Sequence, residues 1–270
     1  MPYICSHCQR SFPNFQLSCP DCGVWNSLKF RNTQISHEDA RPVALPRIGS
    51  FVVPRIKSRV DQLDELLGSG FVPGSSVLLI GPPGAGKSTL LLQVLKKMKI
   101  ASLYVTGEES VQQLKLRADR MKINSQNIFL LFEMNVNKIA VHVHETAIKV
   151  LVIDSIQTMY TDASDALPGS STQIRKCAYI LRRLAQQESF VLIVVGQVTK
   201  DKKAAGPKLL EHAVDVVLYL ELEEAKSAKA KVDKQHHRLL FASKNRFGST
   251  APRCMLYMRK TGLVFHTIET

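Results

Sequence analysis

The sequence predicts an α/β protein with a mainly parallel sheet, helices on both sheet faces, an antiparallel extension and a small cysteine-rich segment at the start. From residue 76 to residue 196, short apolar runs alternate with stretches of helical length, which is the pattern of a parallel sheet whose strands are joined by helices. Four more apolar runs follow without long helices between them, which favours antiparallel strands. Four of the six cysteines lie in the first 22 residues.

Each element of the alternating region can be placed from its apolar run or its helical spacing. Strands are predicted at 76–80, 102–106, 128–132, 150–154 and 190–196, and helices at 87–98, 110–121, 136–148 and 172–187. The later strands are "VDVVLYLEL", "RLLFAS", "RCMLYM" and "LVFHTI". A polar stretch broken by three prolines precedes this region and is typical of a linker. We therefore predict a cysteine-rich unit at 1–30, a linker at 31–54 and the α/β domain at 55–270.

Composition limits the classes of function. The chain carries 36 Lys and Arg against 23 Asp and Glu, a formal net charge of +13. This excess indicates nucleic acid as a partner before an anionic membrane surface, with a solvated basic surface as the alternative. An apolar content of 45% supplies a core and argues against disorder. No run reaches the roughly 18 apolar residues of a membrane span and no secretion signal begins the chain, so we expect a cytoplasmic protein.

The cysteines at the start have the spacing of a metal site. Cys5 and Cys8 form one C-x-x-C pair, Cys19 and Cys22 form another, and ten residues separate the pairs. Two such knuckles can hold one zinc ion tetrahedrally, and four cysteine ligands leave no open position, so the zinc would be structural. A redox dithiol is the alternative, but two pairs at ribbon spacing favour metal. The segment is too short to bury a core, so metal binding would contribute its folding free energy.

Four other residues have simpler interpretations. His7, between the first two cysteines, is expected to be a surface residue rather than a ligand. Trp25 is expected to pack over the ribbon, with stacking on a base as the alternative. Cys177 and Cys254 are isolated in the sequence, which is typical of small buried hydrophobic residues.

The stretch "GPPGAGKS", residues 81–88, follows an apolar strand and opens a predicted helix. It matches the phosphate-binding loop G-x-x-x-x-G-K-[ST], in which glycines let backbone N–H groups turn onto phosphate oxygens. The helix start adds its dipole, Lys87 reaches the β and γ phosphates, and the Ser88 hydroxyl holds Mg²⁺. The predicted nucleotide-binding residues are Gly81, Pro82, Pro83, Gly84, Ala85, Gly86, Lys87, Ser88 and Thr89.

Two carboxylates are predicted to complete this site. Asp154 closes the apolar strand 150–154, where a P-loop protein needs a second residue for Mg²⁺; a helix N-cap is the structural alternative. Glu108 and Glu109 follow the second strand, and strand ends of such sheets face the nucleotide crevice. One of the two can polarise the attacking water while the other caps the next helix. We favour Glu108 as the base.

Taken in chain order, these motifs resemble those of the bacterial RadA family (also called Sms), RecA-like ATPases of recombination and DNA repair. The matching segments are "CPDCGVWNSL", "GPPGAGKSTLLLQ", "YVTGEESVQQLKLRA", "VIDSIQTMY", "TKDKKAAGPKLLEHAVDVVLYLE" and "KNRFGST". With the first cysteine pair they cover residues 3 to about 266. The pentapeptide "KNRFG" is diagnostic of that family.

The resemblance implies a RecA-like core that binds ATP, or ADP after turnover, and a zinc ion on the four cysteines. RecA-like rings bind nucleotide at subunit interfaces, so Lys244 and Arg246 of "KNRFG" are expected to reach the γ-phosphate of a neighbouring subunit and to stabilise transition-state charge. A DNA-phosphate contact or a surface strand end is the alternative. Gln197 stands where the family has histidine and is expected to sense the γ-phosphate state through hydrogen bonding.

Two loops, 158–173 and 197–208, are predicted to leave the carboxyl end of the sheet, where RecA-like proteins grip single-stranded DNA. The second loop carries four cations, which suit phosphate contact, and it holds no aromatic residue, so we expect weak sequence preference. Those cations are Lys200, Lys202, Lys203 and Lys208. The basic run 225–238 is expected to be a solvated hairpin connection, with DNA contact as its alternative.

The motifs and basic loops predict a DNA-dependent ATPase, and the resemblance implies that it acts in recombination and DNA repair by promoting branch migration or strand-exchange extension. The implied partners are single-stranded or branched DNA, RecA and further copies of the chain in a hexameric ring; the implied cofactors are structural Zn²⁺, and Mg²⁺ with ATP. Family members continue into a Lon-protease-like scaffold domain, whereas this sequence stops at Thr270. The alternatives are a nucleotide- and DNA-binding protein with a dormant ATPase and, less favoured by the motifs, a kinase on a P-loop scaffold.

Overall fold

The computed structural model of the protein describes residues 3–12, 18–25, 27–30, 44, 54–197, 209–222 and 237–266. The chain divides into two compact units, residues 1–52 and 53–270. The predicted linker 31–54 lies outside the described residues except at positions 44 and 54. Within the described part of the chain, every helix is too short or too polar to cross a membrane.

The first unit contains a three-stranded antiparallel sheet in the order β2-β1-β3. Its strands are β1 (Tyr3–Cys5), β2 (Ser11–Phe12) and β3 (Leu28–Phe30). Its buried cluster consists of Cys5, Cys19 and Leu28, with Cys8 and Cys22 packed against it. Among the described residues of this unit, cysteine sulfur therefore takes the place that apolar side chains fill in the core of a larger domain.

The second unit is built on a nine-stranded sheet in the order β12-β11-β10-β9-β4-β8-β7-β5-β6. Its strands are β4 (Ser76–Gly81), β5 (Ser102–Thr106), β6 (Ile128–Phe132), β7 (Val150–Asp154), β8 (Val191–Gln197), β9 (Val216–Leu222), β10 (His237–Asn245), β11 (Arg253–Arg259) and β12 (Gly262–His266). Its helices are α1 (Asp61–Leu66), α2 (Lys87–Met98), α3 (Val111–Arg120), α4 (Val136–Thr146) and α5 (Ser171–Glu188). Pairing is parallel from β9 to β6 and antiparallel from β9 to β12.

The central strands are apolar along their whole length because both faces of the sheet are covered. Every residue of β4 and β5 is buried, as is every residue of β7 before Asp154. Alternate residues point to opposite faces, so Leu79 and Val152 belong to one apolar cluster while Leu78 and Ile153 belong to the other.

The predicted fold class is confirmed, and every predicted strand and helix of the alternating region lies within two residues of its predicted ends. The helix α1 was not predicted, because its six residues are too few for a helical period to stand out. The strand predicted to end before "KNRFG" is longer than expected, because β10 continues through Lys244 and Asn245. The last strand ends at His266, and residues 267–270 are outside the described part.

Strand direction places the two predicted phosphate-contacting motifs at opposite edges of the sheet. β4 runs from Ser76 to Gly81, so the glycine-rich loop opens at its carboxyl edge. β9 is parallel to β4 and β10 is antiparallel to β9. The start of β10 therefore lies at the edge of the glycine-rich loop, and its end, with "KNRFG", lies at the other edge.

Candidate nucleotide and metal sites

The glycine-rich loop turns from β4 into α2 through residues with left-handed backbone conformations. Gly84 has φ of +77° and Gly86 has φ of +104°, values that glycine adopts without a steric penalty. Gly86 occupies the N-cap of α2 and supplies no side-chain cap. The first N–H groups of α2 therefore have no side-chain acceptor at the cap. Such N–H groups at a helix start can donate to phosphate oxygens.

Lys87 lies in this loop with its ammonium group turned inward. Its side chain is buried, and Nζ donates to the carbonyl oxygens of Gly81 at 2.7 Å and Pro82 at 3.0 Å. Burial lowers the pKa of Lys87, and the carboxylates of Asp154 and Glu108 offset part of that shift. Asp154 and Glu108 are therefore close enough to Lys87 to act on its charge.

Asp154 meets the start of α2 as the P-loop pattern predicts. Its Oδ2 accepts a hydrogen bond from Ser88 Oγ at 2.6 Å. A hydroxyl and a carboxylate side by side are hard oxygen donors of the kind that Mg²⁺ takes together with nucleotide phosphates, so this pair fits the metal. The helix N-cap alternative does not apply, because Ser155, not Asp154, precedes the 3-10 turn Ile156–Thr158.

Sequence analysis missed Tyr104, which lies in the middle of β5. Its ring is fully buried, and its hydroxyl donates to the same Oδ2 of Asp154. Burial, followed by the Asp154 carboxylate, raises the pKa of Tyr104 well above its ordinary value, so the phenol stays a donor. A tyrosine inside the apolar run "SLYVT" was the available signal, since a buried hydroxyl needs a partner.

The two adjacent glutamates have different environments. Glu108 faces the cavity of the glycine-rich loop and accepts a hydrogen bond from Ser155 Oγ. Gln197 Nε2 reaches both of its carboxylate oxygens, at 2.9 and 2.8 Å. Glu109 instead forms an ion pair with Arg117 of α3 at 2.5 Å. Neither caps α3, because Ser110 does so in a capping box with Gln113.

One cavity of about 800 Å³ is lined by six of the nine predicted nucleotide-binding residues, whereas Gly81, Pro82 and Ala85 are not part of its lining. Both glutamates, Asp154 and Gln197 open onto it beside the loop. Its loop and helix lining is Pro83, Gly84, Gly86, Lys87, Ser88 and Thr89, and α3 adds Gln113, Leu116, Arg117 and Arg120. This volume falls within the range of small-molecule and cofactor sites.

Lys244 is held by its own chain. The register of β10 on β9 shifts between Ala242 and Lys244, and such a bulge re-aims the side chain that follows it. Lys244 Nζ then donates to the carbonyl oxygens of Glu211, His212 and Val214, at 2.9, 3.2 and 2.7 Å. This lysine therefore ties the end of β10 to the turn that leads into β9.

Arg246 is more accessible than Lys244. Its side chain is 57% exposed and lies 3.5 Å from Asp215, whose other carboxylate oxygen holds the backbone N–H and hydroxyl of Ser76. Ser76 begins β4, and the six residues of that strand span about 20 Å before Gly81 opens the glycine-rich loop. Arg246 therefore lies at the far end of β4 from the loop of its own chain.

The predicted DNA loops are only partly described. The four cations Lys200, Lys202, Lys203 and Lys208 lie outside the described residues, as does most of the basic run 225–238. Gln197 is the last described residue at the start of the predicted loop 197–208. Its carbonyl oxygen accepts a hydrogen bond from Gln157 Nε2 at 3.2 Å. Gln157 belongs to the 3-10 turn at the start of the other predicted loop, so the two loops are joined at their bases.

The four cysteines of the first unit converge. Their Sγ atoms all lie within 4.8 Å of one another, with Cys5 and Cys22 at 3.6 Å and Cys8 and Cys19 at 3.5 Å. Four thiolates at about 2.3 Å from a tetrahedral zinc ion would be separated by about 3.8 Å, so the donor set fits that metal.

Four single-residue predictions can be compared with the structure. His7 is exposed, as predicted. Cys177 and Cys254 are buried, also as predicted. Trp25 does not pack over the ribbon: its side chain is 73% exposed. The expectation was wrong because, among the described residues of this small unit, the buried cluster is built from cysteine sulfur and Leu28, and Trp25 is not part of it.

The fold and the site together define a class. A P-loop between β4 and α2, a carboxylate at the end of β7 and a glutamate after β5 form the nucleotide core of a RecA-like P-loop ATPase. A family profile described as the AAA domain matches residues 40–203. The chain belongs to this AAA-domain family, and it is homologous to proteins named DNA repair protein RadA.

The relatives that support this assignment match nearly the whole chain. The DNA repair protein RadA of Bacillus subtilis (strain 168) is 39% identical over 278 residues, which is 97% of this chain and 58% of the relative. That of Haemophilus influenzae (strain Rd) is 39% identical over 276 residues, again 97% of this chain and 58% of the relative. The chain thus spans somewhat more than half the length of these relatives.

Solved structures support the fold. The crystal structure of a KaiC-like protein from Pyrococcus horikoshii OT3 has a TM-score of 0.65 at 22% identity and covers 80% of this chain and 100% of that chain. The crystal structure of the RadB recombinase has a TM-score of 0.58 at 21% identity, with 77% and 98% covered. At these identities the likeness concerns the fold alone.

Proposed function

We propose that the chain is a DNA-dependent ATPase of DNA repair and recombination, acting on single-stranded or branched DNA to promote branch migration or strand-exchange extension. The observation that carries the proposal is the meeting of Lys87, Ser88, Asp154 and Glu108 at one cavity. The similarity to RadA proteins over 97% of the chain supports the DNA repair role.

Each of these side chains has a task in ATP hydrolysis. The backbone N–H groups of the loop and the ammonium of Lys87 hold the β and γ phosphates. Ser88 and Asp154 would hold Mg²⁺, which supplies positive charge against the developing negative charge of the transferred phosphoryl group. Tyr104 holds the Asp154 carboxylate in place through its buried hydroxyl. Glu108 takes a proton from the attacking water.

The site is completed by a second copy of the chain. Arg246 is exposed, and about 20 Å of strand separates it from the loop of its own chain. In a ring of subunits it would approach the γ-phosphate bound by a neighbour and stabilise the charge that develops there. Lys244 contributes by fixing the end of β10 through three carbonyl oxygens, and it reaches the neighbour only if those bonds open.

DNA dependence is proposed to act through Gln197. Its amide holds the Glu108 carboxylate from the base of the predicted DNA loop, and its carbonyl is tied to the base of the other loop. DNA that binds the loop lysines would draw Gln197 away, and Glu108 would then be free to accept a proton from water. The net charge of +13 supports binding to a polyanion.

The proposal is tested by steady-state ATP hydrolysis over a range of protein concentrations, with and without single-stranded DNA. We expect turnover per chain to rise cooperatively with concentration, because the site needs two chains, and to rise again with DNA. Lys87→Ala should abolish turnover at every concentration, because it removes the cation that holds the phosphates. Turnover in the parent that is no higher than in Lys87→Ala would contradict the proposal.

A dormant ATPase is the second candidate, and the contacts of two residues favour it. Glu108 is engaged by Ser155 and Gln197, and Lys244 is engaged by its own chain. A chain locked in this way would bind nucleotide and DNA without turnover. The same titration separates the candidates, since a dormant chain binds ADP normally yet remains at the Lys87→Ala background with DNA present.

We also propose that Cys5, Cys8, Cys19 and Cys22 hold one structural zinc ion. We expect the purified chain to carry zinc, and Cys19→Ser to lose it, because a closed four-cysteine site depends on each ligand. Elemental analysis of metal per chain measures this, and limited proteolysis reports whether the unit 1–52 unfolds.

The matched control for the zinc prediction is His7→Ala. His7 is exposed between the first two cysteines and should be replaceable without loss of zinc. A Cys5–Cys22 or Cys8–Cys19 disulfide in place of zinc would favour the redox alternative. Zinc retained at the parental level in Cys19→Ser would show that the metal is held elsewhere.

A further inference from the structure

Arg238 of β10 is buried against the glycine-rich loop. Only 7% of the residue is exposed, and Nε donates to the carbonyl oxygen of Ala85 at 3.0 Å. One terminal nitrogen donates to the carbonyl oxygen of His237 at 2.9 Å. Burial lowers the pKa of Arg238, yet a guanidinium stays charged in proteins. A buried cation therefore touches the phosphate-binding loop from behind.

The Ala85 carbonyl matters because it shares a peptide plane with the Gly86 N–H. In a planar trans peptide these two groups point in opposite directions. The bond from Arg238 fixes the carbonyl toward β10, so the Gly86 N–H is aimed away from β10 and into the loop. Gly86 is the N-cap of α2, where a backbone N–H lies within reach of a bound phosphate.

The strands beyond β10 hold the same point of the loop. A Cβ atom added to Gly86 would lie 2.6 Å from Met258 Cε and 3.3 Å from Leu263 Cδ1. α2 is also tied to β12, because Gln93 donates to the Leu263 carbonyl and accepts from its N–H, at 3.2 and 2.8 Å. The antiparallel strands β10, β11 and β12 thus support the loop, and Arg238 contacts it with a charged group.

We infer that Arg238 is a positioning residue for phosphate binding: its guanidinium orients the Ala85–Gly86 peptide so that the Gly86 N–H faces the nucleotide phosphates. This inference rests on the proposed nucleotide site and adds a residue that the P-loop pattern does not contain. Arg238 acts through the loop, since the described lining of the cavity includes Gly84, Gly86 and Lys87 but not Arg238. Its positive charge behind the loop also favours phosphate binding.

The test is titration of the full chain with a fluorescent ADP analogue in the absence of DNA. We expect Arg238→Gln to raise the Kd about tenfold, the loss typical of one hydrogen bond to a charged group. Arg238→Lys should fall between parent and Arg238→Gln, because it keeps the charge but not the planar donor geometry. In steady-state hydrolysis, KM should rise with the Kd while kcat stays within about twofold.

Arg253→Gln is the matched control. Arg253 lies on the adjacent strand β11, is exposed, and packs over Phe241 at 5.1 Å from the ring centroid. Its loss removes an arginine from the same part of the sheet, so the parental Kd is expected. If Arg238 had a purely structural role, its loss would lower thermal stability. KM would then not rise at an unchanged kcat, and Arg238→Lys would not bind more tightly than Arg238→Gln.

The outcomes distinguish this inference from the proposed function. A parent that binds no ADP analogue overturns the proposed function. A parent that binds, together with an Arg238→Gln variant of equal Kd, overturns only the inference. If Arg238→Gln loses its far-ultraviolet circular dichroism, Arg238→Lys decides instead: a folded lysine variant with the Kd and KM of the parent overturns the inference, and a weaker one supports it.

Discussion

Arg246→Ala is expected to lower kcat for ATP hydrolysis by about 1,000-fold or more while leaving the Kd for ADP at the parental value. An arginine that stabilises transition-state charge from a neighbouring subunit contributes on this scale. It does not act on ADP, because the γ-phosphate is absent. The far position of Arg246 from its own loop predicts that the loss is a defect in the neighbour's site. Steady-state kinetics beside ADP titration measure both quantities.

Mixing variants tests whether the residue acts between chains. Lys87→Ala has a damaged loop and an intact Arg246, whereas Arg246→Ala has the reverse. Each alone should be inactive, and an equimolar mixture should recover measurable turnover, since some intact loops then face an intact arginine. Arg253→Ala serves as the control for loss of an exposed arginine. A mixture no more active than its components would show that Arg246 works within its own chain or not in hydrolysis.

Glu108→Gln is expected to lower kcat by about 100- to 10,000-fold, the contribution typical of a general base. The amide keeps the size of the side chain and its bond to Ser155, so nucleotide binding should persist. Rapid-quench measurement of a single turnover would place the loss in the chemical step. We expect the base to be Glu108 because its carboxylate accepts hydrogen bonds from Ser155 and Gln197, whereas the carboxylate of Glu109 is paired with Arg117.

Glu109→Gln is the matched control, one residue further along the chain. Glu109 is paired with Arg117, so its loss should weaken the ion pair and change kcat only a few-fold. This pair is partly exposed, and such pairs contribute little to stability, so the variant should fold normally. Equal losses in the two variants, or a larger loss in Glu109→Gln, would assign the base to Glu109.

Much of the site could be predicted because its signals are local. The glycines of the loop, Lys87 and Ser88 lie within eight consecutive residues, and the flanking strand and helix show their own periodicity. Asp154 ends an apolar run, which marks it without knowledge of its neighbours. The four cysteines are likewise recognised by spacing, and their sulfur atoms converge. In each case the sequence signal lies within a short stretch of chain, although Asp154 then meets Ser88 from 66 positions away.

Other features depend on which strands lie side by side, and sequence periodicity does not determine strand order. Tyr104 meets Asp154 because β5 pairs with β7. Arg238 meets Ala85 across 153 positions of the chain. The different partners of Glu108 and Glu109, Gln197 and Arg117, likewise come from distant parts of the fold.

The sequence by itself determined the fold class, the phosphate loop, the strand-end carboxylate and the convergence of the four cysteines, because each is encoded by short-range spacing. Tertiary structure alone decided that Lys244 is tied to its own chain while Arg246 is exposed, that both lie at the far edge from their own loop, and that Trp25 is exposed. The physical reason is that strand direction, sheet order and the filling of a small interior are set by contacts between residues distant in sequence.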